Sequence, residues 1–132
     1  MRIMLDTNVL LSVLLFPSER MDRMMQCIFE HHRLVLSSFV IDELVDVVER
    51  KFPTRASVVD TLLAGMSYEL VYTPREMDKD LFEIRDPKDY PVLYTAITEG
   101  VDILITGDKD FADIDIDYPE IMTPAEFIAE NF

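Results

Sequence analysis

The chain has 132 residues, 49% hydrophobic and 29% charged. These are the proportions of one globular domain, large enough to bury roughly two thirds of its unfolded surface and far from the composition of a disordered chain. With 12 basic against 26 acidic residues the formal charge is -14, which excludes recruitment of nucleic acid by net charge alone and leaves any such contact to local patches. A single cysteine, Cys27, excludes an intramolecular disulfide and a cysteine-based zinc site, and points to a reducing cytoplasm.

The N-terminal run MRIMLDTNVLLSVLLF carries Asp6 within apolar residues, lacks a small-residue cleavage pattern and is too short to span a bilayer, so no membrane role is expected. RIML (2–5) predicts a buried strand, and Thr7 is a capping residue for the apolar helix that follows. After Pro17, residues Met21, Met24, Met25, Ile28 and Phe29 recur with the spacing of one inward helix face. LVLS (34–37) predicts a second strand, and Ser37 or Ser38 starts a helix with Ile41, Leu44, Val45 and Val48 toward the core. A helix around RASVVDTLLAGM follows Pro53, and ELVY (69–72) is a third strand. RDPKDYPVLYTAITEG predicts a helix ending at Gly100 with Val92, Leu93, Ala96 and Ile97 inward, and VDILIT is a fourth strand. A short EIM strand leads into TPAEFIAENF, where Thr123, Pro124 and Glu126 form a capping box. Strands alternating with helices predict a three-layer α/β/α sandwich around a mainly parallel sheet, with residues 1–132 as one domain.

In such folds the functional crevice lies beyond the carboxyl ends of the strands. Asp6 ends the first strand and Asp108 follows the fourth. In the helix after strand two, Asp42, Asp46 and Glu49 form a solvated face, whereas Glu43 stacks with Val40 and Val47 beside the core stripe and points over the sheet. Asp89 heads the inward stripe of the later helix; Asp86, before Pro87, is explained as a helix-start acid and stays a lesser candidate. Carboxylates meeting at about 4 Å repel by roughly 4 kcal/mol per pair at an effective dielectric near 20, so such a cluster binds cations or traps protons. Oxygen donors without histidine or cysteine favour Mg²⁺ or Mn²⁺. His31 and His32 fit a helix end, and the alternating acids Asp113, Asp115 and Asp117 fit a solvated edge.

LDTNVLLS, a glutamate in the helix after strand two, RDPKDYPVLYTA, ITGDKDF and the closing IMTPAEF together resemble the pattern of PIN-domain ribonucleases, most similar to small prokaryotic single-domain members, many of them VapC-type toxins. The resemblance implies a five-stranded sheet in the order 3-2-1-4-5, Mg²⁺- or Mn²⁺-dependent cleavage of single-stranded RNA, commonly by a homodimer, and a partner antitoxin where the protein is a toxin. It places the four acids on Asp6, Glu43, Asp89 and Asp108, with Asp110 at a neighbouring ligand position and Asn8 and Thr106 as polar supports. Arg85, Lys88 and Lys109 flank the acids and are the candidates for gripping substrate phosphates.

Two further readings stand beside this one. A phosphohydrolase acting on small phosphate esters would carry a second acid two residues beyond Asp6, where this chain has Asn8. A non-catalytic RNA- or protein-binding PIN module would have no need of the four acids. A dinucleotide-binding fold is excluded by three glycines in all and no GxGxxG.

Overall fold

The computed structural model describes residues 1–132. In chain order the elements are β1 (Arg2–Leu5), α1 (Thr7–Leu15), α2 (Glu19–His31), β2 (Arg33–Ser37), α3 (Ser38–Lys51), α4 (Ala56–Gly65), β3 (Glu69–Val71), α5 (Tyr90–Thr98), β4 (Ile103–Ile105), β5 (Glu120–Met122) and α6 (Pro124–Asn131). Short 3₁₀ turns occupy Pro53–Arg55, Pro87–Asp89 and Lys109–Phe111. The five strands are all parallel, in the order β3-β2-β1-β4-β5, as the family resemblance implies.

Successive strand residues face opposite sides of a sheet, yet Ile3, Met4 and Leu5 of β1 and Val35 and Leu36 of β2 are all fully buried. Both faces are therefore covered by helices, which is why these strands read as continuous apolar runs. Helix α2 packs against α6, and α1 packs against α3 and α4. The methionines Met24 and Met25 and the lone Cys27 are buried in this core, and no helix is long and apolar enough to cross a membrane.

Local chemistry sets the element ends. The Thr123–Glu126 capping box forms as expected, with both reciprocal bonds present. Ser37 caps α3 through its hydroxyl, which accepts from the Val40 N–H. At α1 the cap is Asp6 and not Thr7: the Asp6 carboxylate accepts from the Val9 N–H, and Thr7 is the first helical residue. Both are capping types, and the residue one position earlier has the extended backbone that a cap requires.

The helix expected from Asp86 begins later, at Tyr90, after the 3₁₀ turn Pro87–Asp89. Pro91 has no N–H for the Pro87 carbonyl, so α-helical bonding cannot run back through this turn. At the other end of α5, Gly100 takes φ 66°, a conformation that glycine adopts without the Cβ penalty and that closes the helix before β4. Gly100→Ala meets no steric obstacle within 4 Å, so its cost is backbone conformation alone. Urea unfolding should show a loss of about 1 kcal/mol.

Candidate functional site

Register between β1 and β4 builds the site. Leu5 lies opposite Ile105, so Asp6 and Thr106 leave the sheet side by side, and the Asp6 N–H still donates to the Ile105 carbonyl at 3.1 Å. The Thr106 hydroxyl donates to Asp6 Oδ2 and accepts from the Asp108 N–H at 3.0 Å. One buried hydroxyl thus ties the end of β1 to the segment leaving β4. The other Asp6 oxygen, Oδ1, accepts from the Val9 N–H at 2.9 Å. Asp6 is 6% exposed, and burial pushes its carboxyl above the ordinary carboxylate range; the bonds from Thr106 and Val9 oppose this rise, while the charges of Asp108 and Glu43 reinforce it.

Beyond Thr106 the chain folds into the 3₁₀ turn Lys109–Phe111. Asp108 Oδ1 caps this turn by accepting from the Asp110 N–H at 2.9 Å, and the buried Phe111 anchors it to the core. Both aspartates therefore lie at the rim in a fixed turn. Asp89 reaches the same place from the turn that precedes α5. Carboxylate oxygens of Asp89, Asp108 and Asp110 all lie within 4.8 Å of one another.

Asp89 Oδ2 is buried with no hydrogen-bond partner. Burial, a proton that can be shared with Asp108, and the charges of Asp108, Asp86 and Asp110 push the Asp89 carboxyl up to about 7. With that proton gone, the oxygen faces other acids and no donor. Such an orphaned carboxylate among carboxylates is the electrostatic signature of a cation site, and the donor set is all hard oxygen. Oxygens on one octahedral Mg²⁺ are about 3.0 Å apart when adjacent and about 4.2 Å when opposite, so the trio closes around an ion by moving inward. The residues present fit a divalent cation.

The other expected residues fall as follows. Glu43 is half-buried and acts on Asp6 through its charge, whereas Asp42, Asp46 and Glu49 are exposed, Asp46 in an ion pair with Arg50 at 2.9 Å. Neither Glu43 nor Asp6 shares the tight trio; Asp110 does. Asp86 caps the turn before Asp89 by accepting from the Lys88 N–H at 3.0 Å. Asn8 is exposed, and its side chain makes no hydrogen bond to the acids. Arg85, Lys88 and Lys109 are all exposed around the trio, and Arg85 stands 3.8 Å from Asp110 in a solvated pair of small energetic weight. His31 and His32 lie at the end of α2, where His32 packs edge-on against Phe127, away from the acids. One polar group was not foreseen. The Thr7 hydroxyl, next to Asp6, is buried without a partner, and nothing in its sequence context distinguishes it from an ordinary helix-start threonine.

A raised acid pKa stabilises the protonated folded state. This contribution is fully present below the ordinary value of 3.8 and is lost as pH rises through about 7. Scanning fluorimetry in chelator should show Tm falling between about pH 4 and about pH 7, with Mn²⁺ or Mg²⁺ restoring most of the loss at the upper pH. Asp89→Asn should flatten the pH dependence and blunt the response to metal.

A PIN domain model matches residues 2–110 of the chain. No curated protein matches it. Among solved structures, the fold is similar to that of VapBC2 from Rickettsia felis, bound to a DNA fragment from its promoter, with a TM-score of 0.72 at 20% identity over 92% of this chain and 97% of that one. It is also similar to Mycobacterium tuberculosis VapC20, a toxin that cleaves the sarcin-ricin loop, with a TM-score of 0.58 at 12% identity over 83% and 92% of the two chains. At these identities the structural likeness concerns the fold. The family match carries more, because it runs from β1 through Asp110 and so takes in every acid of the rim: the chain belongs to the PIN domain family.

Proposed function

We propose that the chain is a divalent-metal-dependent endoribonuclease that cleaves phosphodiester bonds of single-stranded RNA. The observation that carries this reading is the trio Asp89, Asp108 and Asp110 with oxygens within 4.8 Å, containing a buried oxygen that has no partner. Mg²⁺ or Mn²⁺ held there would supply Lewis acidity at the phosphodiester and a nucleophile from water at neutral pH.

The protein groups have distinct tasks in this reading. The Asp108 carboxylate is held by the Asp110 N–H, and the turn sets the Asp110 backbone beside it. Asp6 has both oxygens engaged, by Thr106 and Val9, and stands beside the trio as a further carboxylate for the ion. Glu43 has no such commitment, and we assign it to orienting the attacking water. Arg85, Lys88 and Lys109 offset the formal charge of -14 where a substrate phosphate must approach, a distance over which local charge outweighs the rest of the molecule at a Debye length of about 8 Å. Similarity to VapBC2 supports a toxin role, with an antitoxin covering the acidic rim. A homodimer belongs to this reading through the family resemblance alone.

Incubation of the purified protein with single-stranded RNA and Mn²⁺ should yield fragments with 5′-phosphate and 3′-hydroxyl ends, and both Asp6→Asn and Asp89→Asn should reduce cleavage to background. Cleavage surviving in both variants would falsify the assigned site, and RNA binding without cleavage in the unaltered protein would favour a binding module. Replacing Arg85, Lys88 and Lys109 together by alanine should weaken RNA affinity about tenfold at moderate salt, read by fluorescence anisotropy in the absence of metal; unchanged affinity removes these residues from the substrate path.

A further inference from the structure

The connection from β3 to α5 is long, and it is strapped down. The Tyr90 hydroxyl donates to the Asp78 carbonyl and accepts from the Leu81 N–H at 3.3 Å, and the Tyr94 hydroxyl accepts from the Asp78 N–H at 3.1 Å. Phe82 stacks on Tyr90 with centroids 4.3 Å apart, and Tyr90 on Tyr94 at 5.9 Å. Both tyrosines belong to α5, whose first residue directly follows Asp89. The loop is thereby fixed relative to the acids.

This arrangement encloses an open hollow of about 940 Å³. Its walls include Met77, Phe82, Pro87, Tyr90 and Pro91, with Arg75 and Lys79 at the rim. Pro87 and Tyr90, which line the hollow, flank Asp89 in sequence. A second hollow of about 500 Å³ contains Arg85, Lys109 and Asp110 and shares Glu83 and Ile84 with the first. The two hollows meet at Glu83 and Ile84, and the second reaches Asp110 of the trio. Arg75, Lys79, Arg85 and Lys109, four of the 12 basic residues in the chain, line these hollows together with the acids Glu76, Glu83, Asp110 and Asp113.

We infer that the hollow is a nucleotide subsite: it takes a base of the single-stranded RNA next to the scissile phosphate, with Arg75 and Lys79 on the adjoining phosphates. The inference rests on the ribonuclease reading of the acidic trio and names where its substrate lies. An apolar lining of Met77, Ile84, Pro87 and Pro91 bounded by cations suits an unstacked base and its phosphate, the unit that single-stranded RNA offers and a duplex does not. Glu76 and Glu83 share the rim; they balance the two cations, which limits the hold on bare phosphate and leaves discrimination to the base. Met77 is half-buried in the hollow without joining the main core, an apolar side chain for which the fold itself has no packing use.

The test compares the unaltered protein with Arg75→Ala/Lys79→Ala and with Met77→Asp, none of which touches the acidic trio. Affinity for a fluorescein-labelled single-stranded RNA of mixed sequence is measured in chelator, beside an abasic oligonucleotide of equal length. Turnover of bis(p-nitrophenyl) phosphate with Mn²⁺ is measured separately, because so small an ester needs only the acids. The inference expects the unaltered protein to bind RNA at least about tenfold more tightly than the abasic strand, and each variant to lose about tenfold in RNA affinity, with the circular dichroism spectrum and Tm unchanged. Equal affinity of the three proteins for RNA, equal affinity for RNA and the abasic strand, or no RNA binding by the unaltered protein overturns it. Failure of the catalytic reading appears differently, as absence of turnover on the small ester, and leaves the binding comparison intact.

Discussion

The parallel pairing of β1 with β4, in the register that sets Leu5 against Ile105, is the constraint on which the rest of the rim depends. It brings Asp6 and Thr106 out of the sheet together, and the Thr106 hydroxyl then spends its one proton on Asp6 and its lone pair on the Asp108 N–H. A shift of one residue in either strand would turn Asp6 or Thr106 to the other face of the sheet. The apolar runs are short and bounded by charge, as by Arg2 and Asp6 on β1, so a slip would draw a charged residue into a core closed on both sides.

Against this scaffold stands an electrostatic cost. Asp6 is buried among acids, and Asp89 carries an oxygen without a donor. Buried polar groups are normally satisfied, and the two left open at this rim, Asp89 Oδ2 and the Thr7 hydroxyl, are departures from that rule. The neighbouring chain is stiffened where that cost is highest: Asp86 and Asp108 each cap a 3₁₀ turn, and Phe111 buries the end of the second turn. A carboxylate already held in place binds a cation more strongly than a mobile one, since less must be ordered on binding.

Much of this was legible in the sequence where local chemistry decides the outcome. The Thr123 capping box, the apolar strands, and the contrast between Glu43 and the solvated Asp42, Asp46 and Glu49 all follow from spacing of a few residues. What was not legible depends on contacts distant along the chain. Asp110 joins Asp89 and Asp108 more closely than Asp6 does, a consequence of turn geometry that no periodicity encodes. The role of Tyr90 and Tyr94 in pinning the β3–α5 connection is invisible because tyrosines on an inward helix face read as core. The cap of α1 fell on Asp6 because two adjacent capping types cannot be ranked without backbone angles. Asn8 matched a family position by resemblance, but it is solvent-exposed and its side chain is bonded to none of the acids.

The acidic trio as a cation site is the central claim, and calorimetric titration of Mn²⁺ at neutral pH tests it most directly. Because Asp89 is pushed up to about 7, ion binding must displace a proton, and titrations in buffers of different ionisation enthalpy report that release. The account predicts Mn²⁺ binding with net proton release in the unaltered protein, and loss of both in Asp108→Asn. Binding of equal strength in Asp108→Asn, or binding with no proton released, would contradict it.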